Sequence, residues 1–132
     1  MATETEIVPV RIQPETLYQI QLERKEEKQV VVHCFFQCDS SSDQLIRIWK
    51  TTFLRDDKTG HRSQLLFFDQ ISLYPFWTRV DAGSFFTFTL IFSGLPADCQ
   101  SFDLIEDIPD SGGFFVPSIS RNTTDVYRVR IQ

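Results

Sequence analysis

Apolar and polar residues alternate along much of this chain with a period of two. Val8, Val10 and Ile12 are separated by Pro9 and Arg11, and Tyr18, Ile20 and Leu22 by Gln19 and Gln21. Val126, Arg128 and Arg130 alternate in the same way with Tyr127, Val129 and Ile131. Successive side chains of a strand point to opposite faces, so this alternation predicts half-buried β-strands. Further strands are predicted near Val30–Gln37, Leu45–Leu54, Leu65–Phe68, Phe85–Phe92, Phe102–Ile105 and Phe114–Ile119. Turn-forming runs separate them, among them Asp39-Ser40-Ser41-Ser42-Asp43, Asp56-Asp57-Lys58-Thr59-Gly60, Asp81-Ala82-Gly83 and Asp110-Ser111-Gly112-Gly113. Pro14-Glu15-Thr16, with Leu17, Ile20 and the charged run to Lys28, also admits a helix with Pro in its first turn. The strand reading is preferred there, with Lys25–Lys28 as a hairpin tip. Short strands with frequent turns predict one all-β domain, an antiparallel sandwich or barrel. Residues 1–6 read as a disordered tail and residues 7–132 as the domain.

Superimposed on the alternation are four doublets: Phe35-Phe36, Phe67-Phe68, Phe85-Phe86 and Phe114-Phe115. A doublet in a strand puts one ring on each face, and one core cannot bury both. At about 150–250 Å² per ring, four outward rings would exceed the roughly 300–600 Å² apolar patch of an ordinary monomer. Phe114-Phe115 follows Gly112-Gly113, where a bulge could turn both rings inward. Phe35-Phe36 lies in the most continuously apolar strand and reads as covered on both faces. Phe67-Phe68 and Phe85-Phe86 remain as the pairs expected to show a ring to a partner.

Composition narrows the field. The net charge of −5 and pI near 4.9 disfavour nucleic acid and anionic membranes, which select basic surfaces. No run approaches the ~20 apolar residues of a membrane span, and residues 1–6 do not resemble a signal peptide. The chain as written reads as cytoplasmic, and as exported if a leader precedes it. Cys34 and Cys38 lie on one face of a strand about 13 Å apart, too far for a disulfide. Cys99 could pair with one of them, but buried thiols are the preferred reading.

No enzyme signature is present: there is no nucleophile elbow, P-loop, dinucleotide turn or H-E-x-x-H. The chain is therefore expected to be neither an enzyme nor dependent on a cofactor or metal. His33, Cys34 and Cys38 do not make a zinc site, because adjacent strand residues diverge. The acidic stretch Asp103, Glu106, Asp107 and Asp110 reads as a solvated loop, with a calcium site as the rarer alternative. Arg11, Arg128 and Arg130 would share an outer face able to meet an acidic partner, though solvated arginines are the commoner case. Leu73-Tyr74-Pro75-Phe76-Trp77 clusters three aromatics in a loop. Such a loop either plugs one end of the fold, contacts a protein, or stacks on a sugar.

Cys34 precedes Trp49 by a spacing similar to the strand-B cysteine and strand-C tryptophan of antibody domains. The tyrosine-corner partner is missing, because Tyr127 is followed two residues later by Val129. Only a core role for Trp49 is retained. Phe88-Thr89-Leu90-Ile91-Phe92-Ser93-Gly94-Leu95-Pro96, followed by Phe102-Asp103-Leu104-Ile105-Glu106, resembles a pattern of uncharacterised bacterial immunoglobulin-like β-sandwich domains. The resemblance implies a single antiparallel immunoglobulin-like sandwich of about seven to nine strands, and it brings no catalytic residues. The expected function is a non-catalytic binding module that meets a protein partner or a second copy of itself. Its candidate contact residues are Tyr74, Phe76, Trp77, Phe67, Phe68, Phe85 and Phe86. The alternative is a carbohydrate or small-ligand module with a cation at the acidic stretch.

Overall fold

The computed structural model describes residues 28–109 and 112–131. The two N-terminal strands expected around Val8–Ile12 and Tyr18–Leu22, together with Arg11 and Asp110, lie outside the described residues. Nine strands follow: β1 (Val30–Gln37), β2 (Gln44–Ile46), β3 (Thr52–Asp56), β4 (Arg62–Asp69), β5 (Thr78–Val80), β6 (Phe85–Phe92), β7 (Ser101–Glu106), β8 (Phe115–Ser120) and β9 (Val126–Ile131). Seven of them form one sheet in the order β8-β7-β3-β4-β6-β1-β9, while β2 and β5 form a small ribbon. The described part is all-β, and no helix in it is long and apolar enough to cross a membrane.

The expectation of purely antiparallel pairing is corrected. β1 runs parallel to β9, from Val31 opposite Val126 to Phe36 opposite Ile131, while its other neighbour β6 is antiparallel. The sheet is therefore mixed. It curls until its two halves share one interior, close to a barrel. Val32, Cys34, Phe88, Leu90, Phe92 and Val129 from one half pack with Leu54, Phe102 and Leu104 from the other. Across that interior Phe102 meets Tyr127 edge-on, with ring centroids 5.0 Å apart. Cys34, Cys38 and Cys99 are free, buried thiols, and burial pushes Cys34 up to about 12.

The single strand expected over Leu45–Leu54 is two. The chain leaves β2, makes an isolated bridge between Ile48 and Leu73, and turns at Trp49 before β3. Thr52 closes that turn, donating both its N–H (3.0 Å) and its hydroxyl (2.7 Å) to the Trp49 carbonyl. Trp49 is thus half-buried beside a turn rather than a core residue of a strand. The short strand β5 was not anticipated at all.

Two bulges adjust the sheet. In β4 one extra residue, Leu66, falls between Leu65 (opposite Phe92) and Phe67 (opposite Ile91). The other lies in β8, where Ser118 has a positive φ of 55°. Asp103 holds it, accepting the Ser118 N–H at 2.9 Å and an ion pair from Arg55 at 2.9 Å. Burial works against ionisation of this carboxyl, but the Ser118 and Arg55 bonds outweigh it and hold its pKa below the usual value. A group depressed on folding stabilises at neutral pH and loses that contribution as pH falls through its folded pKa. Asp103→Ala removes the buried carboxylate that holds the Ser118 N–H and Arg55, and is expected to cost about 1–3 kcal/mol at pH 7. Urea unfolding at pH 7 and below pH 4 should show the gap to wild type shrinking in acid. A constant gap would mean that the charge on Asp103 contributes nothing.

Candidate functional site

Three of the four doublets divide as strand geometry requires, with one ring inward and one outward. Phe67 is 57% exposed, Phe85 58% and Phe115 55%, whereas Phe68, Phe86 and Phe114 pack against the core. Phe115 corrects the expectation that both rings of its doublet turn inward. Phe35 and Phe36 are both half-buried. Phe36 faces the interior, and Phe35 lies outside against Phe85 at 5.8 Å, with the Arg128 guanidinium also 5.8 Å from its ring.

Strands β9, β1, β6 and β4 lie side by side, so their outward residues form rows across the sheet. One row is wholly apolar: Val126, Val31, Ile91 and Phe67. Leu66 stands exposed beside it because of the bulge. The next row reads Arg128, His33, Thr89 and Asp69. His33 Nδ1 lies 2.8 Å from the Thr89 hydroxyl. Burial, and then the neighbouring Arg128, lower the His33 pKa and so favour the neutral ring. The third row begins Arg130, Phe35 and Thr87. The face is apolar along one row, basic along β9 and acidic at Asp69 on β4. Its basic side was visible in the alternation of β9. Its acidic side was not, because nothing in the sequence sets Asp69 in register with Arg128 across four strands.

The aromatic loop between β4 and β5 is neither a simple plug nor an open platform. Tyr74 stacks on Trp49 with centroids 3.9 Å apart. The Arg47 guanidinium lies 3.7 Å from the Trp77 ring centroid and 4.5 Å from that of Tyr74, and Arg47 Nη1 donates to the Pro75 carbonyl at 3.3 Å. Only Phe76, 72% exposed, stands clear of this stack. The sequence reading missed Arg47, whose only signal was a cation two residues before a tryptophan. Tyr74, Phe76 and Trp77 sit together in the loop, Phe67 and Phe85 stand exposed on the sheet, and Phe68 and Phe86 turn inward against the core.

The loop borders a cavity of about 310 Å³ at one end of the curled sheet. Phe36, Phe88, Phe114 and Ile131 line it from the core, Trp49 and Trp77 from the loop, and Glu106 and Arg47 supply its charges. Phe114 reaches the wall because its carbonyl accepts the Glu106 N–H at 2.9 Å. Gly113 lies against the Glu106 carbonyl so closely that a Cβ there would collide with it. Burial pushes the Glu106 carboxyl up; the Trp49 N–H donated to its Oε2 at 3.2 Å only partly offsets this.

The acidic stretch does not converge. Asp103 and Glu106 lie an odd number of residues apart on β7 and so on opposite faces. Asp103 goes to the bulge in β8 and Glu106 to the cavity. Among the described residues no three His, Cys, Asp or Glu side chains are grouped to hold a metal ion. In comparison with protein-family models, curated proteins and solved structures, no match to the chain is found.

Proposed function

We propose that this chain is a non-catalytic interaction module of the immunoglobulin-like β-sandwich kind, and that its β9-β1-β6-β4 face binds a second copy of itself. The support for the sandwich is that β3 and β7 oppose β6, β1 and β9 across one core. The reading of the face is carried by one observation: the row Arg128, His33, Thr89, Asp69 has opposite charges at its two ends. A two-fold axis parallel to the strands, lying between two such faces, reverses each row against its own copy. Asp69 then meets Arg128 of the second copy twice over, and the apolar row from Val126 to Phe67 meets itself. An isologous contact demands this kind of self-complementarity.

Four strands at about 4.8 Å spacing and eight residues at about 3.3 Å give a face of roughly 19 by 26 Å, or ~500 Å² per copy. Two copies bury on the order of 1,000 Å², the low end for specific interfaces. The dimer should accordingly be weak, forming at micromolar concentration, and salt should weaken it by screening the rim ion pairs.

Sedimentation equilibrium of the full chain tests the proposal by charge exchange. Asp69→Arg and Arg128→Asp each set like charges against one another and should weaken the dimer at least tenfold, or about 1.4 kcal/mol. The double variant Asp69→Arg/Arg128→Asp should dimerise as wild type does. Two results overturn the reading: a wild-type chain monomeric at high micromolar concentration, or single variants that dimerise unchanged. So does radical footprinting in which Phe67 and Phe85 are already protected in the dilute monomer.

A further inference from the structure

The cavity beside the aromatic loop has the size and lining of a small-molecule site and lies away from the proposed dimer face. Ligand pockets run from about 300 Å³ upward, largely apolar with a few placed polar groups. This one, at about 310 Å³, lies at the small end of that range; most of its lining side chains are apolar, its exposed surface is about equally polar and apolar, and it holds a single buried carboxylate. Glu106 is 9% exposed and makes no ion pair within 4 Å among the described residues. The Trp49 N–H donates to it at 3.2 Å, and the Phe114 N–H and the more distant Arg47 charge also favour its ionised form, without offsetting the burial. A buried carboxylate without a cation is costly, and a cation brought by a ligand would relieve that cost.

Among the described residues Arg47 is the only other charged side chain lining the cavity, and it is held at the mouth. It lies against Trp77 and Tyr74 and donates to Pro75. It therefore shapes the mouth and occupies the ring faces that a sugar would need. The remaining wall, Phe36, Phe88, Phe114 and Ile131, suits an apolar body of about one ring.

We infer that the cavity binds a small organic amine, its ammonium paired with Glu106 and its apolar body against Phe36, Phe88 and Phe114. An arylalkylamine is the size that fits. Burial raises the Glu106 pKa, and an ammonium beside it would reverse that shift by favouring the charged carboxylate.

The chain contains two tryptophans, Trp49 and Trp77, and both line the cavity, so intrinsic fluorescence reports on it directly. Titration of the full chain with 2-phenylethylamine at pH 7.5 should give a saturable change. The neutral 2-phenylethanol and the anionic 3-phenylpropionate should bind at least tenfold more weakly. Glu106→Gln keeps an oxygen to accept the Trp49 N–H, so it should fold, and it should bind the amine at least tenfold more weakly than wild type. Arg47→Gln removes a like charge and should tighten the amine. Preference for 3-phenylpropionate, lost in Arg47→Gln, would assign the cavity to anions and overturn the inference. Equal amine binding by wild type and Glu106→Gln, or no saturable response to the amine, would also overturn it. Asp69→Arg should leave this titration unchanged, which separates it from the dimer.

Discussion

Replacing Arg121 by alanine is expected to destabilise the protein by about 3–5 kcal/mol, the cost of breaking a buried ion pair by removing one partner. Arg121 stands where the chain leaves β8, one edge of the sheet, to start β9, the other. Its Nε and Nη2 grip both oxygens of Asp125 at 2.7 and 3.1 Å, and its Nη1 donates to the carbonyls of Pro96 and Cys99 at 2.8 and 3.2 Å. Arg121 thereby ties the crossing to the loop that leads into β7. Asp125 also accepts the Tyr127 hydroxyl at 2.9 Å, and that hydroxyl accepts the Asn122 N–H at 3.0 Å. Burial leads the rise of the Tyr127 pKa, to about 12, so the phenol stays a donor throughout the ordinary pH range.

Truncating Arg121 would leave a carboxylate 9% exposed with no guanidinium, at a residue whose backbone already has a positive φ of 57°. Set against a typical domain stability of about 5–15 kcal/mol, the loss is roughly a fifth of the total or more. Urea unfolding measures it. Arg121→Lys keeps the charge but not the fork and should fall between the two. A loss under about 1 kcal/mol, the value of a surface pair, would show that water reaches this cluster freely.

The second large effect separates two adjacent rings. Phe68→Ala should cost about 3 kcal/mol, because Phe68 packs against the core opposite Leu90 and its loss opens a cavity. Phe67→Ala should change stability by about 0.5 kcal/mol or less, as at other exposed positions, while weakening dimerisation. Chemical denaturation and sedimentation on the two variants read these effects independently. Equal stability losses for both rings would mean that Phe67 is as covered as its neighbour.

That asymmetry also marks how far the sequence can be read. Period-two alternation located most of the strands, because burial on one face imposes it. It could not reveal the break at Trp49, since Ile46, Ile48, Thr52 and Leu54 keep one parity straight through the turn. It could not say which ring of Phe67-Phe68 faces out. Ser63 and Leu65 point inward, and unbroken alternation would send Phe67 in after them. The bulge at Leu66 reverses the phase, so that Phe68 goes in and Phe67 out. A bulge is a property of two paired strands, and the pairing is not written in either one. The same holds for the charged row and for the cavity. Arg128 with Asp69, and Glu106 with Trp49 and Phe88, become neighbours only through strand order. The doublets did announce that a second apolar face exists, because that follows from strand geometry alone.

The parallel pairing of β1 with β9 has a consequence for synthesis. A chain emerging from the ribosome presents β1 first among these nine strands, and β6 can dock on one of its edges once it has appeared. The other edge must wait for β9, the last of the nine. Among the described strands nothing else pairs with that edge, so throughout the interval an apolar strand shows an open row of amides, the kind of edge that recruits strands from neighbouring chains. Pairing between segments so distant in sequence is also slow to form. Until β9 arrives, aggregation competes with completion of the sheet, and agents that stall synthesis between β6 and β9 should make this protein insoluble.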